Sequence, residues 1–242
     1  MNKLPKYLCR YEDTIPYKEN TVKISTPNKE INGSWINIPY EKNMIVTQGP
    51  LEQCIDDFWS MCFDYNVNSI LMLCNEVEEG RKKCSKYWEI KNSKMFKVIN
   101  LEIKNDNEII IQRNITVQNI LKNNCKTFYH IQFKKWPDHQ TPIATSVKIF
   151  ENLFQFIDKN RGNAPAVIHC SAGIGRSGVF VALYLLYKEI IRQINMNTQN
   201  FISFNIFNLV RKLKESRIYM VENINQYQFI YDFIEDLLIE KN

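Results

Sequence analysis

Between Ala164 and Phe180 the chain reads APAVIHCSAGIGRSGVF. An apolar run enters Cys170, a loop of small residues (Ser171, Ala172, Gly173, Ile174, Gly175) leads to Arg176, and an amphipathic stretch begins at Ser177. A thiol and a guanidinium at this C-x5-R spacing leave enough backbone between them to wrap one phosphoryl group, with successive N–H groups turned inward as an anion nest. A helix opening near Arg176 would add its N-terminal donors and dipole, and the planar guanidinium can hold two oxygens at once. Gly173 and Gly175 would let the backbone turn close to the ligand. The same surroundings favour a thiolate, since cysteines at helix N-termini or beside cations titrate at roughly 3.5 to 7.5 instead of about 8.5. Cys170 is therefore the expected nucleophile. His169 is expected to orient the loop through hydrogen bonds and tune the thiolate, because a pre-formed thiolate needs no base. An inert buried cysteine is the bland alternative, and the strand, glycine loop and helix around Cys170 argue against it. No G-x-x-x-x-G-K-[ST] segment is present, so the loop is not a nucleotide-binding P-loop.

The elements that must position this loop follow from periodicity. Short β-rich runs predict strands over 21–25, 34–38, 44–47, 69–73, 94–103, 108–117, 127–133 and 166–169. Apolar residues three and four apart predict helices over 51–65, 146–160, 177–194, 206–216 and 224–239, the last capped by Asn223. A strand-rich first half, one apolar strand feeding a helix, and helices to the end predict an α/β fold, a highly twisted mixed β-sheet flanked by helices. No linker or repeat interrupts the order, so a single domain over 5–242 is expected. Exposed turns are expected at 104–107 and 195–199.

With 242 residues, 45% of them apolar and 24% charged, collagenous, coiled-coil and disordered readings are excluded. Thirty-one Lys and Arg against 26 Asp and Glu leave +5, which favours anionic partners without choosing among them. Seven scattered cysteines with no C-x-x-C pair argue against a disulfide framework or a metal site, and for a reducing compartment. No apolar run reaches the ~18 residues of a membrane span, and no signal-peptide core follows Met1. A cytoplasmic location and no cofactor are the resulting expectations. No stretch interleaves aromatics with Lys and Arg strongly enough to suggest an RNA track, so nucleic acid is a minor option.

His169 to Gly178, HCSAGIGRSG, resembles the active-site motif of the classical, non-receptor-like protein tyrosine phosphatases. Other segments agree in order and spacing from Arg10 to about Tyr231. The resemblance implies the cysteine-based phosphatase fold and phosphotyrosine-containing proteins as partners. It implies that Tyr11 recognises the phosphotyrosine ring and that Asp13 binds peptide backbone. Trp136-Pro137-Asp138 is similar to the mobile loop that carries the general acid, here Asp138, which loop closure would desolvate and so push up in pKa. Ser177 would donate to the departing thiolate and Glu78 would pair with Arg176. Gln226 lies on the glutamine-bearing loop, and the stretch from Lys83 to Trp88 matches a structural segment. Before Arg10 the chain is short for this family, which implies an abbreviated N-terminal layer. The Asn/Ile/Lys-rich composition is similar to that of stand-alone members from AT-rich genomes, insect-associated viral ones included, which would place the chain in host cytoplasm.

Four departures stand out. Glu222 occupies the place of a water-positioning glutamine, which predicts slowed hydrolysis of a phosphocysteine. His139-Gln140 replaces an aromatic and a glycine, which predicts slower loop closure. Tyr219 stands where a small residue opens a secondary pocket, and Trp35 replaces a tyrosine in what looks like a structural change. Lys82, Lys83, Lys134 and Lys135 could favour acidic flanking peptide, or simply be solvated. Three functions stay open: an active tyrosine phosphatase, a phosphotyrosine-binding module that turns over poorly, and a phosphatase for RNA or lipid phosphates, against which Tyr11 argues.

Overall fold

The computed structural model describes residues 4–26, 30–37, 44–91, 93–143, 146–196 and 202–241. In chain order its elements are β1 (Thr21–Lys23), β2 (Glu30–Ile36), β3 (Met44–Thr47), α1 (Ile55–Asp64), β4 (Ser69–Met72), the hairpin β5 (Val77–Glu78) and β6 (Arg81–Lys82), β7 (Phe96–Asp106), β8 (Ile110–Asn119), β9 (Asn124–Phe133), α2 (Val147–Arg161), β10 (Ala166–His169), α3 (Gly175–Asn195), α4 (Ile206–Ser216) and α5 (Ile224–Lys241). Apart from the β5–β6 hairpin, the strands form one sheet in the order β1-β2-β3-β10-β4-β9-β8-β7. Its centre, β3-β10-β4-β9, is parallel, and both flanks are antiparallel. This is the expected mixed sheet flanked by helices.

β10 is central because its residues are buried throughout, which suits a strand with parallel neighbours on both sides. Its register, His169 beside Thr47 of β3 and Met72 of β4, delivers Cys170 to the C-terminal edge of the parallel strands, where ligands bind in open α/β sheets. Below the acid loop, Phe150 of α2 meets Phe133, Trp136, Phe229 and Phe233 at centroid separations of 5.2–6.0 Å. These aromatic contacts fix the root of the acid loop to α2 and α5.

The structure moves several predicted boundaries. β2 starts at Glu30 because Asn32, which reads as a turn residue, is buried with its amide satisfied by the Thr14 carbonyl; residue 38 of that predicted strand lies outside the described residues. The 104–107 turn moves to 107–109, where Asn107 Oδ1 accepts from the Ile109 and Ile110 N–H groups, so β7 runs on to Asp106. A 3-10 turn, Glu52–Cys54, opens the first helix. α3 begins at Gly175, inside the loop itself. Asn195 ends α3, and 197–199 of the other predicted turn lie outside the described residues. Trp35 packs edge-on against Tyr65 at 4.9 Å, a structural contact as expected.

Candidate active site

The loop after β10 forms the floor of a cavity of about 620 Å³. Cys170, Ser171, Ala172, Ile174, Gly175 and Arg176 line that floor, with Tyr11, Asp13, Lys83, Asp138, Glu222 and Gln226 among the walls. The Gly173 N–H donates to Cys170 Sγ at 3.2 Å. Gly173 has φ +73°, and a Cβ there would lie 2.3 Å from the Thr47 carbonyl oxygen, so only glycine brings the loop this close to β3. A Cβ on Gly175 would lie 2.8 Å from both Glu222 Oε2 and Gln226 Nε2. The loop before α5 therefore presses its polar atoms onto the start of α3.

Arg176 is fully buried. Its Nη1 donates to Glu78 Oε1 at 2.8 Å and to the Trp136 carbonyl at 2.9 Å, and its Nη2 donates to Asp138 Oδ1 at 2.9 Å. Burial works against its charge, but the Cys170 sulfur, Cys74 and Glu78 outweigh that and hold its pKa above the ordinary value. Arg176 Nε, Ser177 Oγ and Gln226 Nε2 are buried with no hydrogen-bond partner among the described residues. Buried donors of this kind call for an acceptor, and Arg176 Nε is the donor a phosphoryl oxygen would use.

Asp138 differs from its expectation. Burial pushes its carboxyl up, but Arg176, Lys83 and His139 outweigh it and hold the pKa below the usual value, with Lys83 Nζ bonded to Oδ2. The expected upward shift from desolvation is overridden because Arg176 and Lys83 meet the carboxylate at its two oxygens.

Tyr11 walls the cavity, its hydroxyl 2.9 Å from Ser171 Oγ. Asp13 is exposed at the mouth. Gln226 is buried, its Oε1 accepting from the Glu222 N–H at 2.9 Å. Asn223 caps α5, its Oδ1 accepting from the Gln226 N–H at 3.0 Å, as expected. Glu78, Trp136, Ser177 and His169 stand behind the cavity wall. Tyr219, half-exposed at φ +58°, lies outside the residues that line this cavity.

A protein-family model described as Protein-tyrosine phosphatase matches residues 6–236. The chain belongs to this family. Tyrosine-protein phosphatase 2 of Dictyostelium discoideum is 37% identical over 219 residues, covering 88% of this chain and 56% of that protein. Tyrosine-protein phosphatase non-receptor type 20 of Homo sapiens is 35% identical over 236 residues, 95% of this chain and 54% of that protein. The chain thus spans about half the length of the curated relatives it matches. In solved structures, PTPN18 in complex with HER2 phosphopeptides superposes with a TM-score of 0.83 at 27% identity, covering 97% of this chain and 82% of that one. The catalytic domain of human protein tyrosine phosphatase non-receptor type 18 gives 0.80 at 28%, covering 96% and 84%.

In this protein-tyrosine phosphatase family member, two supports of the loop escaped the sequence reading. Arg217, fully buried behind the loop, donates from Nε to the Gly173 carbonyl at 2.8 Å and from Nη2 to the Ala172 carbonyl at 3.0 Å, and ties both to Asn32 and Ser34 of β2. Burial lowers its pKa to about 10. The second is a hydrogen-bond chain with a defined direction. Arg113 Nη1 can only donate, so His130 Nδ1, 3.3 Å away, accepts. His130 Nε2 then donates to Tyr87 Oη at 2.8 Å, Tyr87 donates to His169 Nε2 at 2.9 Å, and His169 Nδ1 donates to the Cys170 carbonyl at 3.1 Å. Burial lowers His169 to about 4, so it is neutral, and its Nδ1–H holds the Cys170 carbonyl. Both supports were invisible because the partners lie 44 or more residues apart or inside strands, where Arg and His read as solvated.

Proposed function

We propose that the chain hydrolyses phosphotyrosine in proteins through a phosphocysteine intermediate. The observation that carries this reading is the arrangement of Cys170 Sγ, the unpartnered Arg176 Nε and the Asp138 carboxyl about one cavity walled by Tyr11. The Gly173 N–H donates to the Cys170 sulfur, and α3 opens at Gly175 in the same loop, an arrangement that stabilises a thiolate. An entering phosphoryl dianion competes with Asp138 for Arg176, and its negative charge pushes the displaced carboxyl up in pKa, loading Asp138 with a proton. Cys170 then attacks phosphorus in line, the P–O bond to the tyrosine breaks, and Asp138 gives its proton to the leaving phenolate. In the second step water attacks the phosphocysteine, Asp138 takes a proton from it, the S–P bond breaks, and Ser177 Oγ donates to the returning thiolate. Tyr11, held by Ser171, sets a depth that suits a tyrosyl rather than a seryl phosphate. Asp13 would bind the peptide backbone at the mouth of the cavity, and Gln226 would bind substrate from its wall.

Phosphotyrosine-containing proteins are the proposed partners, in line with the phosphopeptide complex of the type 18 relative. A single catalytic unit over 5–242 is the proposed organisation. A cytoplasmic setting is supported by seven cysteines in the free form; among the described residues no helix is long and apolar enough to cross a membrane. Viral origin rests on composition alone. The competing reading, a phosphotyrosine-binding module of poor turnover, draws on Glu222 and Gln140. Rapid acid quench of a phosphotyrosyl peptide reaction, followed by mass spectrometry, separates them: a phosphorylated Cys170 that decays with turnover supports the hydrolase, and bound, unreacted peptide supports the module.

A further inference from the structure

His139 follows the acid Asp138 and has φ +56°, a left-handed conformation that a residue with a Cβ holds only where its surroundings enforce it. Those surroundings are the segment before α5. The Asn223 side-chain amide donates to the His139 carbonyl at 2.9 Å, and His139 Nδ1 lies 3.1 Å from Glu222 Oε2. On the other side of the ring, Nε2 lies 3.6 Å from Asp138 Oδ2. The imidazole therefore stands between two carboxylates. A neutral imidazole carries one N–H and can satisfy only one of them, turning a lone pair toward the other, whereas the imidazolium satisfies both.

We propose that His139 and Glu222 form a latch between the acid loop and the loop before α5, one positioning unit that keeps Asp138 over the phosphate cradle. The inference rests on Asp138 being the general acid. It gives the unusual Glu222 a role: its charge, expected to hinder the site, is met by His139 across the cavity, and its position against Gly175 ties the latch to the cradle. The groups facing His139 are Asp138 on its own loop and Glu222 and Asn223 from the segment before α5. Lys83 binds Asp138 Oδ2, the oxygen that His139 Nε2 faces, Arg176 binds Oδ1, and Arg10, Tyr11 and Asp13 line the same cavity.

The test is a single-turnover measurement with enzyme in excess over a phosphotyrosyl peptide, following tyrosine release, with KM read from steady-state turnover. The variants are Glu222→Gln, which keeps the shape, His139→Asn, which tolerates the left-handed backbone, and the pair together. Thermal midpoints check that each variant is folded. Each single substitution is expected to slow release by about three- to fivefold, with KM moving less than twofold. The double variant should be no slower than the slower single one. Effects that multiply in the double variant, a KM that rises as much as release slows, or singles as fast as wild type overturn the latch while leaving the phosphatase reading intact. A wild type that binds peptide and releases no tyrosine overturns both.

Discussion

Asp138 Oδ1 lies 2.9 Å from Arg176 Nη2, so the proposed proton donor and the proposed phosphate anchor are paired with each other before substrate arrives. Binding of an oxyanion must break that pair. Asp138→Asn is expected to lower turnover of a phosphotyrosyl peptide by about a hundredfold or more, the usual loss for a general acid. The same change removes a competing charge, so inorganic phosphate should bind at least as tightly as to wild type. Steady-state kinetics and calorimetry read the two effects, and weaker phosphate binding would show that Asp138 does not compete for Arg176.

Tyr87 passes a hydrogen bond from His130 to His169. Tyr87→Phe leaves a donor on His130 and an acceptor on His169 buried without partners, at a cost of about 1–3 kcal/mol each. Urea unfolding of the variant at pH 7 should show a midpoint lowered accordingly, with an unchanged m-value. An unchanged midpoint would mean that the chain contributes nothing to stability.

Burial lowers His169 from 6.5 to about 4, and burial and Arg113 lower His130 in the same direction. Between those pH values the unfolded chain binds a proton that the folded chain refuses. The stability is fully present above pH 6.5 and is lost as pH falls toward 4, by about 3 kcal/mol for His169 alone. Urea midpoints measured from pH 7 to pH 4.5 should fall steadily. A flat profile over that window would contradict neutral, buried histidines.

Arg217 binds the Gly173 and Ala172 carbonyls from behind the cradle. Arg217→Met removes both bonds and leaves buried carbonyls unpaired, so the loop should lose its shape more than the sheet does. The expected result is a fall in kcat/KM of about tenfold or more together with a loss of about 2 kcal/mol in unfolding free energy. Wild-type kinetics in a destabilised variant would confine Arg217 to folding.

Much of the site was legible because its signal is local. Cys170, the glycines and Arg176 sit within one strand-loop-helix segment, and the apolar run before Cys170 named the strand that carries it. Asp138, Tyr11 and Gln226 were legible through resemblance, since nothing in a lone aspartate or tyrosine marks it. What sequence reasoning missed is held by distance: Arg217 meets residues 44 and 45 positions back, and the Arg113–His130–Tyr87 chain crosses strands whose polar residues look exposed when read singly. The direction of the Asp138 shift was missed for the same reason, because it depends on Lys83 and Arg176 arriving from two other elements. The β5–β6 hairpin, two residues a side, is too short to show alternation.

The central claim is tested most directly by a stopped-flow time course of a phosphotyrosyl peptide with wild type and Cys170→Ser, following freed tyrosine and freed phosphate separately. Repeated release of both products by wild type, with peptide binding but no release in the variant, is the expected result. Peptide bound by both proteins and hydrolysed by neither, or hydrolysed equally by both, would contradict a phosphatase that works through Cys170.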